Sequence, residues 1–396
     1  MYDQRGFPNK HGRILKHLAF PRVNKLNEIS RFLFPSGDFF YFIESAILKY
    51  DLNYGIFDFM ILSPFSIDFE GGDQVGKGDA VKNFSSHLSS LGLPVLVVSF
   101  PYYSTPLGFL IRQILLNGFN PSIHINSERL LNLKMALFAL NRLEILNCIL
   151  SLKQQYIFLF DRGPFSNALT ISYHLFSQGN NFERCEEYVN TAISLDSYFI
   201  KTLNINNCVI RLKYSEIQWE KSRKGDISDL YERREVQDIS EYVYGIFEKN
   251  VGNGWRNIIT KDTKGWKDRE DIRDECMDFA QARGIRGTFD RGNIKRIKYL
   301  GVGDIQRYLY LGCDIPNRLK REWRNAIGTN NKKKVYLLAE SISQAFVGTT
   351  EPASWCNDEI ALEVGYFFKE YPEISDIIKN RYGSLFLSNF LKLVHV

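Results

Sequence analysis

The sequence predicts an α/β fold: a doubly wound parallel sheet built on a P-loop, with helices on both faces, a helical C-terminal domain and a short N-terminal extension. Three observations predict it. Ser66-Ile67-Asp68-Phe69-Glu70 reads as a buried strand, breaks into glycines from Gly71, and gives way to helical spacing at Ala80, Val81, Phe84 and Leu88. Residues 95–100 and 156–160 are continuous apolar runs of strand length divided by helical patterns, as expected of parallel strands buried on both faces. Beyond Gly284 the apolar positions recur only at helical spacing, at 337–346, 360–368 and 385–393. The expected divisions are 1–63, 64–285 and 286–396.

Composition narrows the class. The 396 residues exceed what one hydrophobic core usually serves, so two or three domains are expected. Hydrophobic content of 44% and charge of 24% are ordinary globular values, with 30 Phe and 21 Tyr supplying core volume. Six cysteines at 148, 185, 208, 276, 313 and 356 form no C-x-x-C pair, which suggests neither zinc nor a disulfide framework and favours reduced thiols in a cytoplasmic protein. No run of about 18 uncharged apolar residues and no leader pattern is present, so neither a membrane nor secretion is expected. The net charge of +5 is uneven, since 286–334 carries 13 Lys/Arg against four Asp/Glu. Such a surface attracts a polyanion such as nucleic acid, although scattered charges without interleaved aromatics fit a solvated helical face better.

Taken in order, residues 1–63 hold an aromatic stretch from Phe32 to Phe42 and read as a helix or two packed on the next domain. Gly71, Gly72, Asp73, Gln74, Val75, Gly76, Lys77, Gly78 and Asp79 then have the spacing of a loop whose amides curl around phosphate oxygens, with Lys77 adding a cation. The helix that follows contributes its positive end. Strand 95–100 leads into a loop at 101–108, a helix with Leu110, Ile111, Ile114 and Leu115 on its apolar face, and a longer helix at about 128–150. In that helix Phe138 and Arg142 are four apart and share a face. Strand 156–160 delivers Asp161-Arg162 at its C-terminal end, the edge where open parallel sheets bind ligands. Helices at 166–177 and 183–203, strands at 208–212 and 258–259, and a helix at 269–282 continue the alternation. Between them Lys221, Arg223, Lys224, Arg233 and Arg234 mark a polar segment suited to a lid over an anion. Asn330-Asn331-Lys332-Lys333-Lys334 reads as a charged loop.

Three separated segments would thus meet along one sheet edge, and their residue types suit phosphoryl transfer. That reaction needs alignment of donor and acceptor, and cations to offset charge on the moving group. Lys77 and the loop amides would hold donor phosphates, Arg142 and Arg162 an acceptor phosphate through their planar forks, and Phe138 a stacked base. Asp161 would organise metal and water.

These residues resemble the thymidylate kinase family over about 64–285. The resemblance rests on Phe-Glu-Gly-x-Asp-x-x-Gly-Lys at 69–77, Phe100-Pro101 with Ser104-Thr105-Pro106-Leu107-Gly108, Phe138-x-x-x-Arg142, and Asp161-Arg162 followed by Ser166-Asn167-Ala168. It implies ATP as donor, Mg²⁺, a nucleoside monophosphate acceptor, foremost dTMP, and a homodimer. Residue by residue it implies Asp73 beside the acceptor phosphate and metal, Phe138 stacked on thymine, Arg142 at the base or phosphate, and Asn167 reading the base. Phe100, Ser104 and Thr105 would line the acceptor pocket.

Departures from the pattern shift several roles. Gln74 stands where one subgroup has an arginine, so the cation facing the transferred phosphoryl would come from the lid, with Arg223 and Lys221 as candidates. Gly78 lacks the hydroxyl that ligates Mg²⁺, leaving Asp79 or Asp73 to compensate. Leu230 replaces the lid arginine, and Gly163-Pro164 replaces the aromatic after Asp-Arg. Gly76-Lys77-Gly78 also resembles polyphosphate:nucleotide kinases, against which Thr105-Pro106-Leu107-Gly108 and Phe138-x-x-x-Arg142 argue. A kinase-like binding protein without turnover, its basic C-terminal region contacting nucleic acid or a partner, is the reading from a different class.

Overall fold

Strand-to-strand connections that run through helices force parallel pairing, and six of the seven strands pair that way. The computed structural model describes residues 65–119, 125–152, 156–215, 233–285, 297–310, 313–327, 331–348 and 358–393. The strands are β1 (Ser66–Glu70), β2 (Val95–Ser99), β3 (Ile157–Asp161), β4 (Val209–Tyr214), β5 (Trp255–Asp262), β6 (Gly265–Trp266) and β7 (Ile297–Tyr299). They lie in the order β6-β5-β4-β1-β3-β2-β7, with only β6 antiparallel to its neighbour. The chain reverses direction across the sheet at β1 and β3, so the C-terminal ends of these two strands flank the crevice where such sheets bind ligands.

Helices follow as α1 (Lys77–Ser90), α2 (Pro106–Asn117), α3 (Ser127–Leu152), α4 (Asn167–Ser177), α5 (Cys185–Leu195), α6 (Ser197–Leu203), α7 (Arg234–Val251) and α8 (Arg269–Ala282). Six more succeed β7: α9 (Val302–Tyr308), α10 (Asn317–Ala326), α11 (Lys332–Val347), α12 (Asp358–Glu370), α13 (Glu373–Tyr382) and α14 (Ser384–Leu393). Alternate strand residues feed two apolar layers. Ile67, Phe69, Val97 and Leu159 pack with α1 and α8 on one face, while Leu96, Val98, Phe158 and Phe160 pack with α3 to α6 on the other. The second layer also takes in Ile342, Phe346, Val364 and Phe390 of the C-terminal helices.

That shared core revises the expected domain plan. Residues 62–396 form one compact unit, and β7 pairs in parallel with β2 (Val95↔Ile297, Val97↔Tyr299), so the C-terminal region is built onto the sheet and is not purely helical. A three-residue edge strand offers too little alternation to be read from sequence. The expected charged loop is also half helix: Asn331 caps α11 by accepting the Lys334 amide, and Lys332 to Lys334 form its first turn. The helix expected over 183–203 breaks at Asp196.

Helix α3 is long and apolar enough to cross a membrane by length and composition, but 78% of its apolar window is buried inside the protein, as in a core helix. Its Glu144 is fully buried and accepts from Thr105 Oγ1 (2.6 Å), Asn141 Nδ2 (3.0 Å), the Leu107 amide (3.3 Å) and Tyr310 Oη (3.1 Å). One carboxylate thereby joins α2, α3 and the C-terminal region. Burial outweighs these donors and pushes its pKa up to about 7. The folded state therefore holds this proton more tightly than the unfolded chain, so the contribution is fully present below about pH 4.5 and is lost as pH rises through about 7. Urea unfolding should show stability falling across that window, and Glu144→Gln should remove up to about 3 kcal/mol of the fall. An identical slope in the variant would exclude Glu144 as its source.

Candidate active site

The loop after β1 is shaped by its own glycines. Gly76 sits in the left-handed region (φ 85°) at the N-cap of α1, where no side chain caps the helix and the first amides stay free. Lys77, 7% exposed, folds back and donates to the carbonyls of Gly71 (2.8 Å) and Gly72 (2.6 Å). The Asp73 amide donates to Gln237 Oε1 on α7 at 3.1 Å, tying the loop to the helix after the lid segment.

The loop after β3 approaches from the side. Phe69 pairs with Asp161 in register, and the Arg162 amide donates to the Phe69 carbonyl at 3.0 Å. Arg162 then takes φ 68°, a conformation non-glycine residues rarely adopt, and forms an ion pair with Asp73. The strained turn brings a cation from β3 onto the loop from β1. Burial, followed by the Arg162 charge, lowers the Lys77 pKa to about 8 against the pull of Asp73, Asp161 and Glu70. Burial alone would lower the Arg162 pKa, but Asp73 and the neighbouring acids raise it above its ordinary value.

One cavity of about 680 Å³ runs from this junction. Asp73, Gly78, Asp79, Phe100, Phe138, Arg142, Asp161, Arg162 and Asn167 all line it. Gly71, Gly72, Gln74, Val75, Gly76 and Lys77 do not, and Gly72 and Val75 border a second cavity of about 440 Å³. Position 78 faces open space, with no atom within 4 Å of where a Cβ would stand. Among the described residues no cluster of three or more His, Cys, Asp or Glu forms a metal cage. The donor set on the cavity wall is carboxylate oxygen from Asp73 and Asp161, which suits Mg²⁺ carried on phosphates with only one or two protein ligands. Asp79 is turned toward exposed Arg269 at 3.4 Å.

Several expected roles change. Ser104 and Thr105 do not line the cavity and are completely buried. Thr105 is the N-cap of α2, its Oγ1 accepting from the Gly108 amide at 3.3 Å, with Pro106 at the first helical position. The Arg142 fork is already filled: Nε and Nη2 each donate to Asp196 at 2.6 Å, and the pair is almost wholly buried. While Asp196 holds both of these donors, the fork has no second parallel pair for a phosphate. Asn167, 2% exposed, donates to the same Asp196 carboxylate at 3.2 Å. The lid residues Lys221, Arg223, Lys224, Asp229, Leu230, Tyr231 and Glu232 lie outside the described residues.

Sequence reasoning missed the acids beneath the site. Asp196 lies between α5 and α6, where an aspartate reads as a helix cap, yet it makes no cap bond and turns to Arg142 instead. Glu70 accepts from the Gly163 amide (2.9 Å) and Ser166 Oγ (2.6 Å), supporting the turn that carries Arg162. Two residues earlier on the same strand face, Asp68 is completely buried with both carboxylate oxygens unpartnered. A Cβ at position 163 would stand 2.4 Å from it, so the glycine after Asp161-Arg162 is sterically tied to Asp68. Burial, then the charge of Glu70, pushes the Asp68 pKa well up, which favours its neutral form.

Several known proteins are similar to this chain. The family model for thymidylate kinase matches residues 69–236. The thymidylate kinase of Dictyostelium discoideum is 30% identical over 182 residues, covering 45% of this chain and 77% of that protein. A relative from Invertebrate iridescent virus 6, named for the same kinase, is 28% identical over 179 residues, 45% of this chain and 73% of its own. The solved thymidylate kinase of Candida albicans is 22% identical and aligns with a TM-score of 0.40 over 55% of this chain and 91% of that one.

Proposed function

The chain belongs to the thymidylate kinase family, and from that premise we propose that it transfers the γ-phosphoryl of ATP to a nucleoside monophosphate, foremost dTMP, giving ADP and the diphosphate. The observation that carries this reading is the single cavity that brings Asp73, Asp161 and Arg162 together with Phe138 and Asn167. Charged groups for a transferring phosphoryl and an aromatic face with an amide for a base thus share one space.

Lys77 would leave its two loop carbonyls for the donor's phosphate oxygens, joined by the free amides at the start of α1. Arg162, held by Asp73 and by its turn, would point its fork at the acceptor phosphate and fix the line of attack. Phe138 would stack on the base, and Asn167, oriented by Asp196, would read its edge. Mg²⁺, held by Asp73 and Asp161 together with the phosphates, would neutralise charge on the moving group. The cation expected of the lid, Arg223, is part of this proposal. A coupled assay of ADP release across the nucleoside monophosphates, run with ATP and with polyphosphate as donors, tests it. Transfer from ATP to dTMP above all other acceptors supports the reading. Transfer only from polyphosphate, or none to any monophosphate, overturns it.

A further inference from the structure

We infer that residues 299–300, 323–327 and 335–336 complete the acceptor pocket, and that Trp323 and Tyr336 are specificity residues for the acceptor's base. The inference rests on the kinase reading above and names which part of the chain selects its substrate. Tyr299, Leu300, Trp323, Ile327, Val335 and Tyr336 line the same cavity as Phe138 and Arg162. All six are aromatic or aliphatic. This wall therefore carries no charge for a phosphate and offers large flat faces to a heterocycle, whereas Asp73, Asp161 and Arg162 supply the charged end.

The wall is held in place by the acceptor-side loop itself. The Leu300 amide donates to the Val97 carbonyl at 3.1 Å, continuing the β2–β7 pairing one residue past β7. Buried Tyr102 Oη donates to the Leu300 carbonyl at 2.9 Å. The Trp323 ring, 4% exposed, meets Tyr102 edge-on at 6.2 Å, and Tyr336 meets Tyr103 edge-on at 5.6 Å. The Arg112 guanidinium of α2 lies 4.3 Å from the centre of the Tyr336 ring, fixing it from behind. Residues over 180 positions apart thus share one aromatic shelf, which a family core ending near residue 236 does not contain.

The test is calorimetric binding of the individual nucleoside monophosphates and of ATP to the full chain, for wild type, Trp323→Ala, Tyr336→Ala and Tyr336→Phe. Expected is about tenfold weaker binding of the preferred monophosphate in both alanine variants, a changed order among the bases, near wild-type binding in Tyr336→Phe, and unaltered ATP binding. Half-buried Tyr336 serves as the second probe should Trp323→Ala fail to fold. Unchanged monophosphate affinities in folded variants overturn the inference while leaving the kinase reading intact, provided the wild type turns over. Binding of no monophosphate at all overturns both.

Discussion

Lys77→Ala should lower turnover about 10²–10³-fold, the usual consequence of removing one preorganised group that meets developing charge. Lys77 is satisfied by the carbonyls of Gly71 and Gly72 and is 7% exposed. Its ammonium is therefore already desolvated and needs only to exchange two carbonyls for phosphate oxygens. The pKa of about 8 adds a second, sharper expectation. In the free enzyme the lysine loses its proton above pH 8, so kcat/KM for ATP should fall on an alkaline limb near that value. Bound phosphates favour the charged form, which should move the limb in kcat to higher pH. Lys77→Arg should abolish the limb near 8. Turnover unchanged in Lys77→Ala would remove Lys77 from the reaction, and a flat profile to pH 10 in the wild type would remove the lowered pKa.

Sequence reasoning reached this lysine because a phosphate-cradling loop is local: a strand, glycines and a helix start leave their mark within some twenty consecutive residues. The central strands were legible for the same reason, each being a short run buried on both faces. What was illegible depends on distance in the chain. Ser104 and Thr105 read as pocket lining from sequence, although Thr-Pro-x-Gly is what a capped helix start requires. Arg142 was rightly set beside Phe138 on one helix face, but its partner arrives from 54 residues away and converts a free fork into a filled one. Helix α7 went unread despite apolar residues at 236, 239, 243 and 247, a helical spacing that the adjoining basic lid segment masked. Strand β7 and the aromatic wall that follows it acquire meaning only once β2 is beside them.

Asp196→Ala should produce the other large effect, and it separates two accounts of Arg142. The carboxylate is wholly buried, and burial raises its pKa against the opposing pull of Arg142. Removing it strands a guanidinium in the interior, a loss of about 3–5 kcal/mol, and frees Asn167 from its orienting bond. Urea unfolding should register the first consequence, and weaker acceptor binding with unaltered ATP binding the second. The double variant Arg142→Met with Asp196→Leu then decides between them. Apolar replacement of a buried ion pair is often neutral or stabilising, so stability should return to within about 2 kcal/mol of wild type. If Arg142 and Asn167 present hydrogen-bonding groups to the acceptor, affinity for the monophosphate should stay low in this restored fold. Recovery of affinity along with stability would make the Arg142–Asp196 pair a structural strut between α3 and the α5–α6 junction, and would leave recognition of the base to Phe138 and the opposite wall of the cavity.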